Sequence, residues 1–157
     1  MTPGSFNAHG ILLNDYLDNP QAMFCPGTDN SEIYSTDLTN LLSTGTTDIY
    51  SGYSYRQLDE TTKDRLSDLG QNSAKQPAAA LFLDCQRYGP TNIAINHANR
   101  FSNIAYAGGH VRTVKNTNDV FTARAIDYAT FPTSLISRLD QILVNADYVE
   151  IGDPQNA

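Results

Sequence analysis

The sequence predicts an α+β domain, a small antiparallel sheet with flanking helices, and three stretches carry that prediction. Ser102–Ala107 and His110–Val114 have the character of two strands, and Gly108-Gly109 between them suits a two-residue hairpin turn with positive φ. Ala78–Leu83 is a continuous apolar run of strand length. From Pro132 to Val144, apolar residues recur at the spacing of one helix face. Helix and antiparallel hairpin together indicate the α+β class.

The first third of the chain predicts two helices and a turn. Apolar residues in Ile11–Leu17 follow helical spacing, and Pro20 ends the pattern. A short extended run, Gln21–Cys25, stops at Pro26-Gly27, which is a strong turn signal. Ser31–Ser43 is a second candidate helix whose isoleucine and leucines line one side.

The middle of the chain predicts strands separated by polar connections. Ile49–Arg56 is rich in tyrosine and alternates, which is typical of a half-buried strand with Tyr53 and Tyr55 on one face. Residues 57–76 are charged and polar, and we expect a solvated connector with at most a short helix. The apolar run described above follows as the central buried strand, and residues 86–95 are predicted to form a loop.

The end of the chain predicts a turn, an extended segment and a helix. Asn116–Asp119 is a polar turn, and Val120–Tyr128 fits either a further strand or a loose extension. An additional C-terminal helix is expected over residues 131–145, with an apolar face formed by Leu135, Ile136, Leu139, Ile142 and Leu143. Residues 1–157 are of a length that fits a single domain, and no internal repeat divides them.

Composition excludes several classes of partner. The net charge of −7 opposes binding to nucleic-acid phosphates and to anionic lipid. Charged residues make up only 17% of the chain, and an abundance of Asn, Ser and Thr in their place is typical of exported, surface-exposed proteins. No stretch reaches the ~20 apolar residues of a membrane helix, and no signal-peptide pattern is visible.

Two cysteines, Cys25 and Cys85, leave two interpretations open. A disulfide between them would close a loop of about 60 residues and stabilise the fold by roughly 4 kcal/mol, and two free buried thiols are the alternative. Neither cysteine lies in a Cys-x-x-Cys pair, so a zinc ribbon or redox motif is not indicated. Either one could pair with His97 or His110 as in thiol catalysis, although a structural role is more common for such cysteines.

Two further sets of residues are candidates for binding. Asp84, His97 and His110 lie at predicted strand ends, and together they would form a transition-metal site of the kind a metal-dependent hydrolase uses. The alternative is that His97 orders a loop and His110 belongs to an edge strand. Tyr53 and Tyr55 could form a stacking surface for a glycan or peptide. No nucleophile, phosphate-loop or zinc-protease motif occurs in the sequence.

The segment Asn96–Val111 resembles the C-terminal signature of the bacterial prepilin-like proteins that carry a His-x9-Asp-Gly motif. His97 matches the histidine of that motif, and Asn103 matches the start of the Asn-Val-Leu-Phe strand that follows it. Gly109 and His110 match the closing Gly-His-Val. The resemblance therefore covers the histidine, the strand and the turn in their expected order.

Two upstream segments agree with the same family in the same order. Leu12–Asp29 contains Cys25-Pro26 and resembles the family's Tyr-Leu…Cys-Pro segment, and Leu81–Asp84 resembles the strand with Asp84 that precedes the histidine loop. The sequence departs from the family at Gly108, which stands in place of the motif's Asp after a gap of ten residues. A charge-dependent role at that turn would be lost here.

The resemblance implies a non-enzymatic structural protein of the cell envelope, periplasmic or extracellular, with a pilin-like head and no cofactor. Its partners would be other pilin-like subunits in a type II secretion or pilus assembly, and it would bind no nucleic acid. Members of the family reach the membrane through an N-terminal apolar helix, so we expect this chain to be a head that lacks that helix and its targeting segment. The helix over residues 131–145 is outside the resemblance.

Overall fold

The computed structural model describes the following parts of the chain: residues 22, 25–27, 52–56, 61–63, 65, 67–84, 86–88, 93–94, 96–129 and 133–152. Within them the chain forms seven strands, three short 3-10 turns and one α-helix. In chain order the strands and the helix are β1 (Ser54–Tyr55), β2 (Ala80–Leu83), β3 (Gln86–Tyr88), β4 (Ile93–Ala94), β5 (Phe101–Tyr106), β6 (Val111–Lys115), β7 (Thr122–Ala123) and α1 (Thr133–Ile151). The 3-10 turns are His97–Asn99, Thr117–Asp119 and Ala125–Tyr128.

The main sheet has four strands in the order β1-β2-β5-β6, and every neighbouring pair is antiparallel. A small antiparallel sheet with a helix is thus present, which confirms the predicted mixture of helix and antiparallel sheet. A second sheet has the order β4-β3-β7, in which β3 and β7 run parallel. The loop predicted over residues 86–95 is therefore wrong where β3 and β4 form, because strands this short leave no alternating apolar pattern to detect.

The β5–β6 hairpin is confirmed, but its turn differs from the prediction. The N–H of Gly109 donates to the carbonyl of Tyr106 at 2.9 Å, and the N–H of Tyr106 donates to His110 at 3.0 Å. Gly109 has a φ of +81°, whereas Gly108 is not in the positive region. The loop thus has three residues, Ala107 to Gly109, with the left-handed residue last, instead of two residues in a type I′ turn.

Replacing the two glycines of this turn one at a time should separate their roles. Gly109→Ala should lower the free energy of unfolding by about 1–2 kcal/mol, because an alanine Cβ clashes in the left-handed region. Gly108→Ala should change it by less than about 0.5 kcal/mol, since its Cβ meets only the end of the His110 side chain. Urea denaturation of both variants checks this; equal losses would indicate two left-handed residues and a two-residue turn.

The helix α1 packs on one face of the main sheet and forms the core with it. The predicted helix is confirmed and continues to Ile151, beyond the expected end at residue 145. The buried apolar residues of this core are Ala80, Leu83, Ile104, Tyr106, Phe121, Ala123, Ile142, Leu143 and Ala146. Leu135 and Leu139 pack against the core, but Ile136 is 53% exposed. The predicted apolar face is therefore right except at Ile136.

The strand β2 occupies the central position that its apolar run predicted, between β1 and β5. Only its end residues, Ala80 and Leu83, are buried, and Phe82 is 40% exposed. The pairing with β5 shifts register between Ala80 and Phe82, which marks a bulge. The predicted burial of this strand therefore holds only at Ala80 and Leu83, because α1 covers one face of the sheet and Phe82 lies on the other.

The polar connector predicted over residues 57–76 contains no helix in its described part. It forms turns and isolated bridges instead, and it contributes two buried side chains, Leu69 and Asn72. The polar turn predicted at Asn116–Asp119 is present as a 3-10 turn. Of the two alternatives predicted for Val120–Tyr128, the strand is present in part as β7, and Ala125–Tyr128 forms another 3-10 turn instead of a loose extension.

A buried ion pair joins α1 to the start of the main sheet. Asp147 on α1 accepts from the Arg56 guanidinium at 2.7 Å, and both side chains are almost completely buried. Arg56 also donates to the carbonyls of Ala80 and Leu143. The pair fixes the helix against β1 and β2, and no sequence pattern indicated it.

Tyr106 should make stability fall at alkaline pH. Its hydroxyl donates to the Ala146 carbonyl at 3.1 Å, and burial, followed by the charge of Glu150, raises its pKa to about 12. Between about pH 10 and 12 the unfolded chain loses this proton before the folded chain does, so the stability that Tyr106 contributes below pH 10 is lost as pH rises.

Tyr106→Phe should remove this part of the alkaline loss and cost about 1 kcal/mol at neutral pH for the lost hydrogen bond. Urea midpoints measured across the alkaline range test both effects. Tyr148→Phe, two residues after Ala146 on α1, is the control and should keep the alkaline loss. A Tyr106→Phe variant with the same pH dependence as the wild type would contradict the prediction.

The predicted helices Ile11–Leu17 and Ser31–Ser43 lie outside the described residues, as do Cys85 and the first residues of the tyrosine-rich strand. In the part of the chain that is described, no helix combines the length and the apolar character needed to cross a membrane.

Candidate functional site

Three segments that are far apart in the sequence meet at one end of the main sheet. Cys25 comes from the Cys-Pro-Gly turn, Asp84 directly follows β2, and His97 lies in the turn that leads into β5. Asn103 on β5 completes the group. We call Cys25, Asp84, His97 and Asn103 the Cys-Asp-His-Asn cluster.

The polar atoms of this cluster converge on His97 Nε2. Asp84 Oδ2 lies 2.9 Å from it, Asn103 Nδ2 3.0 Å and Cys25 Sγ 3.3 Å. Cys25 Sγ is 3.8 Å from Asp84 Oδ2. One sulfur, one carboxylate oxygen and one imidazole nitrogen thus lie within 4.8 Å of one another.

Asp84 is held in place mainly by Asn103. The backbone N–H of Asn103 donates to Oδ1 at 2.6 Å, and its side-chain amide donates to Oδ2 at 2.7 Å. The Thr113 hydroxyl, opposite Asn103 on β6, donates to the amide oxygen of Asn103 at 2.6 Å. The cross-strand pair therefore orients the amide so that its nitrogen faces the carboxylate.

His97 lies in a left-handed turn and packs against Gly27. His97, Ala98 and Asn99 have φ values of 50°, 50° and 59°, a region that costs L-residues about 1–2 kcal/mol each. The His97 N–H donates to the Gly27 carbonyl at 2.8 Å. A Cβ at Gly27 would lie 2.4 Å from His97 Nδ1, so only glycine allows this approach.

The left-handed turn is stabilised by a set of hydrogen bonds to Asn99. Its amide oxygen accepts from Asn116 at 2.7 Å and from the Thr122 hydroxyl at 2.9 Å. Its amide nitrogen donates to Asp119 at 2.9 Å. Strained backbone persists where its surroundings over-determine it, and such sites are enriched in binding functions.

Burial is the largest influence on the pKa values of the two acidic side chains of the cluster, Cys25 and Asp84. It raises the pKa of the Cys25 thiol, against a hydrogen bond from the Gly27 N–H, and the neighbouring Asp84 raises it further. Burial also raises the pKa of Asp84, while hydrogen bonds from Asn103 and the nearby His97 oppose that rise. The cluster thus disfavours negative charge on both acidic side chains, Cys25 and Asp84.

The structure places the two candidate tyrosines differently. Tyr53 is half-buried near the cluster, and burial, followed by Cys25 and Asp84, raises the pKa of its phenol. Tyr55 is half-buried and its ring lies 6.3 Å from that of Phe82. Glycan or peptide binding by these residues stays a prediction.

Of the predicted set Asp84, His97 and His110, only the first two come together. His110 follows the turn at the far end of β5, where it stacks on Tyr106 at 4.9 Å and contacts Glu150 at 3.2 Å. The third residue beside Asp84 and His97 is Cys25, where the sequence predicted His110. The Cys-Pro-Gly turn was the available signal, but nothing in its spacing relates it to residues some sixty positions later.

Cys25 is a free thiol, so a disulfide to Cys85 is not present. The cluster also lacks the geometry of thiol catalysis. In a nucleophile–histidine–acid relay, the two partners use different ring nitrogens of the histidine, whereas Cys25 and Asp84 share Nε2. The raised pKa of Cys25 likewise favours the neutral thiol over the nucleophilic thiolate.

Comparisons with known proteins add no relative from which function could be transferred. The chain matches no protein-family profile, no curated protein and no solved structure.

Proposed function

We propose that the chain is the head domain of a non-enzymatic, pilin-like structural protein of the cell envelope. The observation that supports this most is the convergence of residues from all three parts of the family resemblance. Cys25, Asp84, His97 and Asn103 are separated by up to 78 positions, yet they form one cluster. Because these residues contact one another, each depends on the others, which gives a physical reason for the signature residues to occur in the same sequence.

The contacts of the cluster support a structural role for that signature. It ties the Cys-Pro-Gly turn to the end of β2 and to the turn that leads into β5, so it attaches the Cys-Pro-Gly turn to the sheet. Its shared use of one ring nitrogen does not support a relay, and the distant His110 does not support the Asp-His-His hydrolase site. The proposed partners are further pilin-like subunits in a secretion or pilus-type assembly.

Site-specific photo-crosslinking combined with cell fractionation tests this function. A photoreactive amino acid is placed at the exposed Val111 or at the exposed Ile126, in the protein expressed from its own gene. A probe at the buried Ile142 is the matched control. We expect the protein in the envelope or extracellular fraction, with crosslinked adducts between copies from an exposed position and none from Ile142. Recovery only as an uncrosslinked monomer in the cytoplasmic fraction would overturn the proposal.

A further inference from the structure

We propose that Cys25, Asp84 and His97 bind one Zn²⁺ ion, which fastens the Cys-Pro-Gly turn to the main sheet. This inference goes beyond the proposed function and does not depend on it. The ligand atoms are Cys25 Sγ, Asp84 Oδ2 and His97 Nε2, which face one another within 4.8 Å. Each belongs to a residue type that zinc uses in proteins.

The spacing of the three atoms fits one shared tetrahedral ion. Zinc bonds of about 2.3 Å to sulfur and about 2.0–2.1 Å to nitrogen or oxygen place tetrahedral ligand atoms about 3.3–3.6 Å apart. The observed separations are 2.9 Å, 3.3 Å and 3.8 Å. Movements of a few tenths of an ångström would bring all three to bonding distance.

At the centre of the cluster, Nε2 of His97 has more polar neighbours than one ring nitrogen can hydrogen-bond. One imidazole nitrogen offers either one proton or one lone pair, yet Nε2 of His97 has three polar neighbours within 3.3 Å. A proton on Nε2 can be donated to Asp84 but faces the NH₂ group of Asn103, which is also a donor. A lone pair on Nε2 can accept from Asn103 but faces the carboxylate oxygen of Asp84, which is also an acceptor. A cation between the three ligand atoms would use the lone pair of Nε2 together with both acidic groups.

The groups around the three ligands already have the positions of an outer ligand shell. Asp84 Oδ1, the oxygen not assigned to zinc, accepts from the Asn103 N–H. The Gly27 N–H donates to the Cys25 sulfur, a bond that stabilises a thiolate. The Gly27 carbonyl anchors the His97 backbone. Such outer partners orient metal ligands and tune their basicity.

The donor set selects the kind of ion. A thiolate with an imidazole suits zinc and related transition metals, whereas Mg²⁺ and Ca²⁺ prefer oxygen ligands. Cys25 and Asp84 are buried, but the His97 side chain is 30% exposed, which leaves a route for the ion and room for a water at the fourth position. Binding would release the proton of the Cys25 thiol, because zinc binds the thiolate.

The test is metal binding by the full chain, stripped of metal with a chelator and kept reduced. Isothermal titration with ZnCl₂ should show one ion per chain. Titration with CoCl₂ should give a thiolate-to-cobalt charge-transfer band and the intense visible bands of four-coordinate cobalt. Zn²⁺ should also raise the melting temperature, since an ion that binds the folded chain stabilises it.

Matched variants assign the ligands. Cys25→Ser should abolish the charge-transfer band, and Cys85→Ser should keep it. His97→Gln and Asp84→Asn should each weaken binding by more than about a hundredfold, because loss of an outer-shell partner alone costs about 10- to 100-fold. Their controls, His110→Gln and Asp68→Asn, lie outside the cluster and should bind as the wild type does.

The outcomes decide the proposal even if a ligand variant does not fold. Absence of equimolar Zn²⁺ binding by the folded wild type overturns it. Binding that survives in folded Cys25→Ser and His97→Gln variants overturns it too, because the ion would then be elsewhere. Gly27→Ala is a further check, since it leaves all three ligands but displaces the His97 ring, and it should weaken binding. Neither failure bears on cellular location or assembly, so the proposed function is tested separately.

Discussion

Asp147→Asn should lower the free energy of unfolding by about 3–5 kcal/mol, the usual cost of removing one partner from a buried ion pair. Arg56 would remain buried without its counter-charge, because its guanidinium lies between β2 and α1. This is a large part of the stability of a domain of this size, which is about 5–15 kcal/mol.

The hydrogen bonds of Asp147 explain why even the isosteric amide would not be tolerated. Oδ1 accepts from the N–H groups of Ala79 and Ala80 at 2.8 Å and 2.9 Å, and Oδ2 accepts from Arg56 and Asn72, both at 2.7 Å. Asparagine has one acceptor oxygen and one NH₂ group. Two of the four donors would therefore face another donor in the buried site.

Asp140→Asn is the matched control for this measurement. Asp140 is on the same helix and accepts one exposed hydrogen bond, from Ser73, so its loss should be below about 1 kcal/mol. Urea unfolding of both variants, with Arg56→Met added to each, gives a double-mutant cycle. We expect Arg56→Met and Asp147→Asn to cost less together than the sum of their separate effects. Equal, small losses for Asp147→Asn and Asp140→Asn would refute the prediction.

Ile142→Ala should lower the free energy of unfolding by about 2–5 kcal/mol. Ile142 is completely buried in the core between α1 and the sheet, and the truncation would leave a cavity in a cluster that also contains Ile104 and Phe121. The width of the range reflects how far such a site can close around the missing atoms.

Ile136→Ala makes the same chemical change on the same helix at a position that is 53% exposed. Its effect should stay within about 0.5 kcal/mol. Denaturant titrations of the two variants test this. The comparison is direct when the slope of the unfolding free energy against denaturant concentration is the same for both variants. A loss at Ile136 as large as that at Ile142 would show that α1 buries a different face from the one described.

The two isoleucines show that helical periodicity predicts an apolar face but not which residues of that face are buried. Their spacing placed both on the apolar face of the helix, because a helix of 3.6 residues per turn gives a broad stripe. Which edge of that stripe is covered depends on where the sheet lies. The same holds for Phe82, whose apolar run predicted burial while the opposite face of the sheet is the one that packs against α1.

The sequence predicted two members of the candidate site, Asp84 and His97, but not the place of Cys25 beside them. Asp84 and His97 follow from their places at strand ends, since strand pairing brings β2 beside β5. Cys25 does not, because a turn that precedes the sheet has no register with it. His110 was assigned to the site in error, since the hairpin that follows His97 carries it to the far end of β5.

By itself, the sequence determined the helix of α1, the central strand β2 and the β5–β6 hairpin. These depend on local patterns of apolar residues and on Gly108-Gly109, which act within a few positions along the chain. Tertiary structure alone decided the Arg56–Asp147 pair, the buried Asn72 and the meeting of Cys25 with Asp84 and His97. Those contacts join residues about 60 to 90 positions apart. Such contacts form only when the folded chain brings the two segments together, so they produce no repeating pattern in the local sequence.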